Sequence, residues 1–383
     1  MLVTVRVVLF ATSRENARAI LDDQAGETLG ERRDYLDSRL EDIADQANPG
    51  GQFGGEWVLV TVSMTAIATA NLAFAYPDSV PRARTILARC REVATSRGVR
   101  AFDTERWGTD ALEDLESDTP HIGYLGHLAL VLEAERILGG PTDARERPVI
   151  AALRRRLDRA TAPILETYPG ERYVADNVVV AAALAMSTVA SAHDPERAAT
   201  SATVARFVAW ARVHLVDAHG ALVFRTDAKG EAEGPARGSG IAWSSIYLPF
   251  VDPSLAEAQA RVLRDRYRKS FGPLGGAVCE YDGCAAGHGD VDSGPVLLGT
   301  SPSGSGFALA AAKTLDDEAW LSDLLALDEW VGLTIATGAK NQTKRRFLFA
   351  PLVGDAIVLA ALTTRAPHAT TSRSPWDTRY LSR

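Results

Sequence analysis

Six places in the chain gather residues able to move protons or hold a polar substrate, and each opens an apolar stretch. GGEWVLV carries Glu56 and Trp57, and DTPHIGYLGHLALVL carries Tyr124 and His127, three apart and so on one face of a helix. YPGERYVADNVVV offers Glu171, Tyr173, Asp176 and Asn177, the last three at i, i+3 and i+4. GSGIAWSSIYLPF sets Trp243 and Tyr247 one turn apart, GHGDVDSGPVLLG brings His288, Asp290 and Asp292, and RRFLFAPLVGDAIVL embeds Asp355 in apolar sequence. Carboxyl groups in pairs divide acid and base work. One with a raised pKa protonates a leaving oxygen, while an ionised partner takes a proton, attacks, or steadies cationic charge. The expected catalytic pair is Asp176 with Asp290 or Asp292, with Glu171 and His127 beside it. Glu56, Trp57, Tyr124, Tyr173, Asn177, Trp243, Tyr247 and Asp355 are the expected substrate contacts.

Each of these residues also has a purely structural role open to it. Asp176 and Asn177 are favoured helix caps, and Asp292 precedes Ser293-Gly294-Pro295, a cap followed by proline in the first turn. His127 fits a hydrogen-bonded core position, Asp355 a buried polar tie, and the aromatics ordinary core. What favours chemistry is coincidence, because a carboxylate in apolar surroundings is costly unless paired or functional. Here such residues recur at corresponding ends of five or six apolar segments.

The elements that must position them follow from periodicity. Apolar residues recur at three- and four-residue spacing, predicting twelve helices: 30–46, 56–75, 80–96, 122–138, 144–167, 175–192, 195–216, 239–250, 254–270, 302–313, 316–337 and 351–363. They alternate between charged, amphipathic segments and segments apolar nearly all round. An all-apolar helix must be buried on every side, whereas an amphipathic one keeps a wet face. Six dry helices paired with six wet ones describe an inner ring inside an outer ring, an all-α (α/α)6 toroid with the dry N-termini at one mouth. No repeat period in the sequence favours a solenoid. We expect an N-terminal extension over 1–28, the barrel over 29–366 and a tail over 367–383. ALVFRT (221–226) and GAVCEYD (276–282) read as strands of a small hairpin or loop insertion near the mouth.

Composition narrows the partners. The 383 residues are 46% hydrophobic, with 41 Lys+Arg against 49 Asp+Glu for a net charge of −8, which favours neither nucleic acid nor an anionic membrane surface. A small molecule or oligosaccharide, neutral or cationic, fits better. The opening MLVTVRVVLFAT is too short for a membrane span and lacks a basic lead, so it reads either as a truncated export segment or as an ordinary strand or helix. Cys279 and Cys284 either close a small loop as a disulfide or stay thiols. Their spacing to His288 and Asp290 does not match a zinc site. GTSPSGSG lacks the P-loop lysine, the Asp290–Asp292 segment departs from a calcium loop, and no HExxH, nucleophile elbow or dinucleotide fingerprint occurs. We expect neither metal nor cofactor.

As architecture the chain resembles the six-hairpin (α/α)6 enzymes, which include glycoside hydrolases, sugar epimerases and polysaccharide lyases. Locally, HIGYLGHLALVLEAERILG looks like the Tyr-x-Gly-His-Leu helix of the linalool dehydratase-isomerase group, which would put Tyr124 and His127 in the cavity. Where that group carries cysteines near a glutamate, TYPGERYVADN has Glu171 and Asp176 and no Cys. The resemblance therefore implies a carboxylate-based carbohydrate enzyme of glycoside hydrolase type first. A dehydratase or isomerase of an apolar alcohol comes second, and a non-catalytic binding toroid with a sealed mouth third.

Overall fold

The computed structural model describes residues 2–23, 26–46, 52–189, 196–290, 292–339 and 342–365. Helices α1 (Leu2–Leu21), α2 (Glu27–Asp37) and α3 (Leu40–Gln46) lead into α4 (Gln52–Ala75). Then come α5 (Val80–Ala94), α6 (Arg97–Trp107), α7 (Ile122–Ile137), α8 (Glu146–Arg159), α9 (Val174–Ser187) and α10 (Glu196–His214). The chain finishes with α11 (Gly238–Val251), α12 (Pro253–Arg266), α13 (Pro302–Thr314), α14 (Glu318–Gly332) and α15 (Leu352–Thr363). The inner helices α4, α7, α9, α11, α13 and α15 each pack on the next, and α15 packs back on α4, so the ring closes. Outside it stand α2, α5, α8, α10, α12 and α14, as the wet and dry patterns require.

Burial explains the division. Residues 122–135 of α7 are buried without a break, and α4, α9, α13 and α15 bury nearly every side chain, many of them Ala and Val. Small side chains let six helices meet around one axis at the density of a protein interior. Residues 54–75 of α4 are long and apolar enough to cross a membrane, with a mean hydropathy of 1.8, but 89% of that stretch is buried inside the protein, as a central core helix requires.

The twelve ring helices stand where the periodicity puts them, and the described residues add three more. The 30–46 segment splits into α2 and α3, α6 was not anticipated, and α1 occupies the expected extension and packs on α14. Three helices stop early. The 144–167 segment ends at Arg159 ahead of Pro163, whose ring disfavours helix in the residue before it. The 254–270 segment ends at Arg266 and the 316–337 segment at Gly332, because their last residues are drawn into sheets. The end of the 175–192 segment and the 367–383 tail lie outside the described residues.

There are three small antiparallel sheets among the described residues, not one insertion. β1 (Arg172–Tyr173) pairs with β2 (Arg225–Thr226), so only the end of the expected 221–226 strand forms. β3 (Arg268–Ser270), β4 (Gly276–Cys279) and β5 (Thr300–Ser301) make the second sheet, and β6 (Thr334–Thr337) with β7 (Lys344–Phe347) the third. Gly238 starts α11 hard against β4. Its N–H donates to Glu280 O at 2.8 Å, and a Cβ there would lie 2.0 Å from Cys279 O, so only glycine fits.

One buried ion network ties the first outer helix to the last inner one. Arg32, 1% exposed on α2, pairs with Asp355 of α15 and with Glu329 of α14 at 3.4 Å. It also donates to Thr334 Oγ1 at 2.7 Å and stacks over the Phe347 ring at 4.2 Å. Asp355 in turn accepts from the Phe347 N–H at 3.0 Å. Asp355 is therefore a structural tie at the ring seam and not the substrate contact the sequence suggested. Breaking such a network leaves uncompensated buried charge. Arg32→Met should destabilise the fold by about 3–5 kcal/mol, while adding both Asp355→Leu and Glu329→Gln, which remove the stranded carboxylates, should recover part of that loss, all read from urea unfolding.

Candidate active site

The inner helices bring their N-terminal ends to one mouth, and there a cavity of about 440 Å³ opens. Its walls are Glu56, Arg106, Tyr168, Glu171, Tyr173, Ala175, Asp176, Phe224, Ser239, Gly240, Trp243, Asp290 and Asp292. Apart from Arg106 of α6, these groups come from four inner helices or the loops that precede them: α4, α9, α11 and α13.

Asp176 sits in the first turn of α9. Helix N-terminal N–H groups favour an anion there, but burial outweighs them and raises its pKa to about 6. Its Oδ2 accepts from Thr167 Oγ1 at 2.8 Å, which fixes the carboxyl without ion pairing. The neighbouring Asn177 has a different task. Its Oδ1 accepts from the Leu165 N–H at 2.7 Å, and its Nδ2 donates to Leu165 O at 3.0 Å and Tyr173 O at 2.8 Å. Successive helical residues point about 100° apart, so one enters the cavity while the other clamps the loop.

Asp292 lies on the loop ahead of α13. Ser303 Oγ donates to Asp292 O, and the Ser301 cap of α13 donates to Ser293 O at 2.8 Å, pinning the loop to the helix start. Burial, followed by the nearby charges of Glu56, Asp290 and Asp176, raises the Asp292 pKa well above the ordinary carboxylate value. Asp290 is exposed and engaged elsewhere: it pairs with Arg237, and its Oδ1 accepts from the Ser293 N–H at 2.9 Å. Arg237 also pairs with the fully buried Glu280, which accepts from Ser239 Oγ at 2.9 Å.

Elsewhere on the wall Glu171 accepts from Tyr173 OH at 3.0 Å and pairs with Arg106 at 2.9 Å. The Arg106 guanidinium lies 4.8 Å from the centre of the Tyr168 ring. Trp243 forms an aromatic wall, backed by Trp57 at 6.0 Å and Phe307 at 5.2 Å between ring centres.

The (α/α)6 toroid is also what solved structures show. No family model and no curated protein sequence matches the chain. Among solved structures it is similar to an unsaturated glucuronyl hydrolase specific for heparin, at 12% identity and a TM-score of 0.51, covering 88% of this chain and 96% of that one. It is also similar to an unsaturated glucuronyl hydrolase from Bacillus sp. GL1, responsible for the degradation of glycosaminoglycan, at 14% identity and a TM-score of 0.50, covering 88% and 95%. At such identities the likeness is one of fold.

Of the expected site residues, Glu56, Glu171, Tyr173, Asp176, Trp243, Asp290 and Asp292 share the cavity. Trp57 stands behind Trp243. Tyr124, His127, Tyr247, Asn177 and Asp355 are not among the lining residues. His127 is 2% exposed, its Nδ1 2.7 Å from Ser63 Oγ and its ring packed beside Trp243 and Tyr247. Burial lowers its pKa to about 4, so it stays neutral, an inner-wall residue and not the group beside the catalytic pair that was expected. Tyr124 is fully buried and donates to Ala94 O at 3.0 Å, which points it away into the outer ring. Cys279 and Cys284 are bonded to each other. Arg106, Tyr168, Phe224 and Ser239 were missed. Tyr168 is the first residue of the YPGERYVADN motif, but Arg106 belongs to the unanticipated α6.

Asp176 makes a stability signature. Its pKa rises from 3.8 to about 6 on folding, so the folded state binds its proton more tightly and loses stability as pH climbs through that window. Asp176→Asn should therefore stabilise the protein by about 2–3 kcal/mol at pH 8 and by well under ~1 kcal/mol at pH 4. Thermal unfolding at the two pH values checks this.

Proposed function

We propose that the chain is a carbohydrate-active enzyme of the glycoside hydrolase type. The observation that carries this is a pair of carboxyls, Asp176 and Asp292, both held above their ordinary pKa in one cavity at the starts of inner helices. Their environments separate the roles. Asp292, crowded by three other acids, keeps its proton and is the general acid toward the glycosidic oxygen. Asp176, hydrogen-bonded by Thr167, ionises above about pH 6 and serves the opposite face, activating water or stabilising positive charge on the sugar ring. Trp243, Tyr173 and Phe224 supply apolar and hydroxyl surface against which a sugar ring can pack.

The fold likeness to hydrolases of sugar chains supports the same class. The dehydratase-isomerase alternative leaned on Tyr124 and His127, which are spent in the ring wall. A non-catalytic toroid calls for a sealed mouth with tied-up carboxylates, whereas Asp176 lines an open cavity.

Asp176→Asn and Asp292→Asn should each lower kcat on an accepted glycoside by about 10²- to 10⁴-fold with the fold retained. The wild-type kcat/KM should rise with pH through an apparent value near 6 and fall again when Asp292 loses its proton. An unchanged kcat in both variants, measured by reducing-sugar release, would sink the assignment.

A further inference from the structure

We propose that the cavity selects an uncharged or amine-bearing sugar and rejects a uronate. This deepens the glycosidase reading and rests on it, and it parts company with the glucuronyl substrates in the neighbours' names. The walls carry five acidic residues, Glu56, Glu171, Asp176, Asp290 and the protonated Asp292, against one basic residue, Arg106, among the described residues, so even with Asp292 uncharged the acids outnumber the bases. That arginine is already engaged: its Nη2 holds Glu171 at 2.9 Å and its guanidinium packs on Tyr168.

A further cation beside the cavity is likewise tied up. Arg237 bridges buried Glu280 and the loop residue Asp290, with its guanidinium 4.4 Å from the centre of the Phe224 ring. A substrate carboxylate would have to pull one of these arginines from its partner or sit among like charges, and either course is unfavourable. The chemistry of the catalytic pair adds to this. Asp292 is useful only while protonated, and an anion beside it would hold that proton more tightly, slowing its transfer to the leaving oxygen.

A sugar without negative charge meets the opposite situation. Its hydroxyls find carboxylate acceptors on several sides, and an ammonium group would be drawn in by the acidic excess.

The test uses matched aryl glycosides of glucose, glucosamine, glucuronate and 4,5-unsaturated glucuronate, in both anomeric series, at low and high NaCl. Calorimetric binding of the corresponding free sugars runs alongside. We expect kcat/KM for the neutral or amino sugar to exceed that for either uronide by about 10²- to 10³-fold, with added salt eroding the amino sugar's advantage and leaving the neutral sugar unaffected. A uronide turned over as well or better, with Asp176→Asn abolishing that turnover, keeps the glycosidase reading and overturns the charge selection. No turnover of any glycoside, but neutral or amino sugar bound in preference to uronate, supports the selection while the glycosidase reading fails. No turnover and no preference in binding overturns both.

Discussion

A closed ring of helices imposes a demand that an open stack does not: the last inner helix must meet the first. In this protein α15 packs on α4, and the outer helix at that junction, α2, drives Arg32 into the seam. A guanidinium with almost no solvent contact is tolerable only if its donors are satisfied. Asp355, Glu329 and Thr334 take them up while Phe347 covers the flat face. Elements distant in the sequence, α2, α14 and α15, are thus held in one arrangement where the ring closes.

Closure also decides where chemistry can be placed. An inner helix touched on all sides has no room along its length for a solvated charge, so carboxylates survive there only at an end or in a compensated network. Asp355 takes the second course, Asp176 the first. The mouth is consequently assembled from helix starts and the loops before them, and its groups are tuned by burial more than by pairing. Asp176 and Asp292 owe their raised pKa values first to that burial.

Much of this is legible in the sequence. The ring can be read because a helix buried all round leaves an unmistakable uncharged stretch, as at 177–185, and because wet and dry stretches alternate. Strands of two to four residues such as β2 and β3 are shorter than any pattern they could display, which is why periodicity carries the neighbouring helices too far. Spacing places Tyr124 and His127 on one helix, but spacing alone cannot say whether a face looks into the cavity or the wall. Asp176 and Asn177 show the same limit, since adjacent polar residues at a helix start divide into one that faces the ligand space and one that holds a loop. Arg237 is invisible for a different reason: its partners Glu280 and Asp290 stand 43 and 53 residues away, and only the folded chain brings them together.

The seam also fixes an order of events during synthesis. Arg32 emerges 323 residues before Asp355 and 297 before Glu329. At a translation rate of about 5–20 residues per second, it waits roughly 15–65 s for the carboxylate that neutralises it. Throughout that interval the apolar inner helices already made have an unfilled gap beside them, and the nascent chain presents sticky surface that only its last helices can cover. A chain cut short before Asp355 would leave the Arg32 guanidinium without that partner and the seam open.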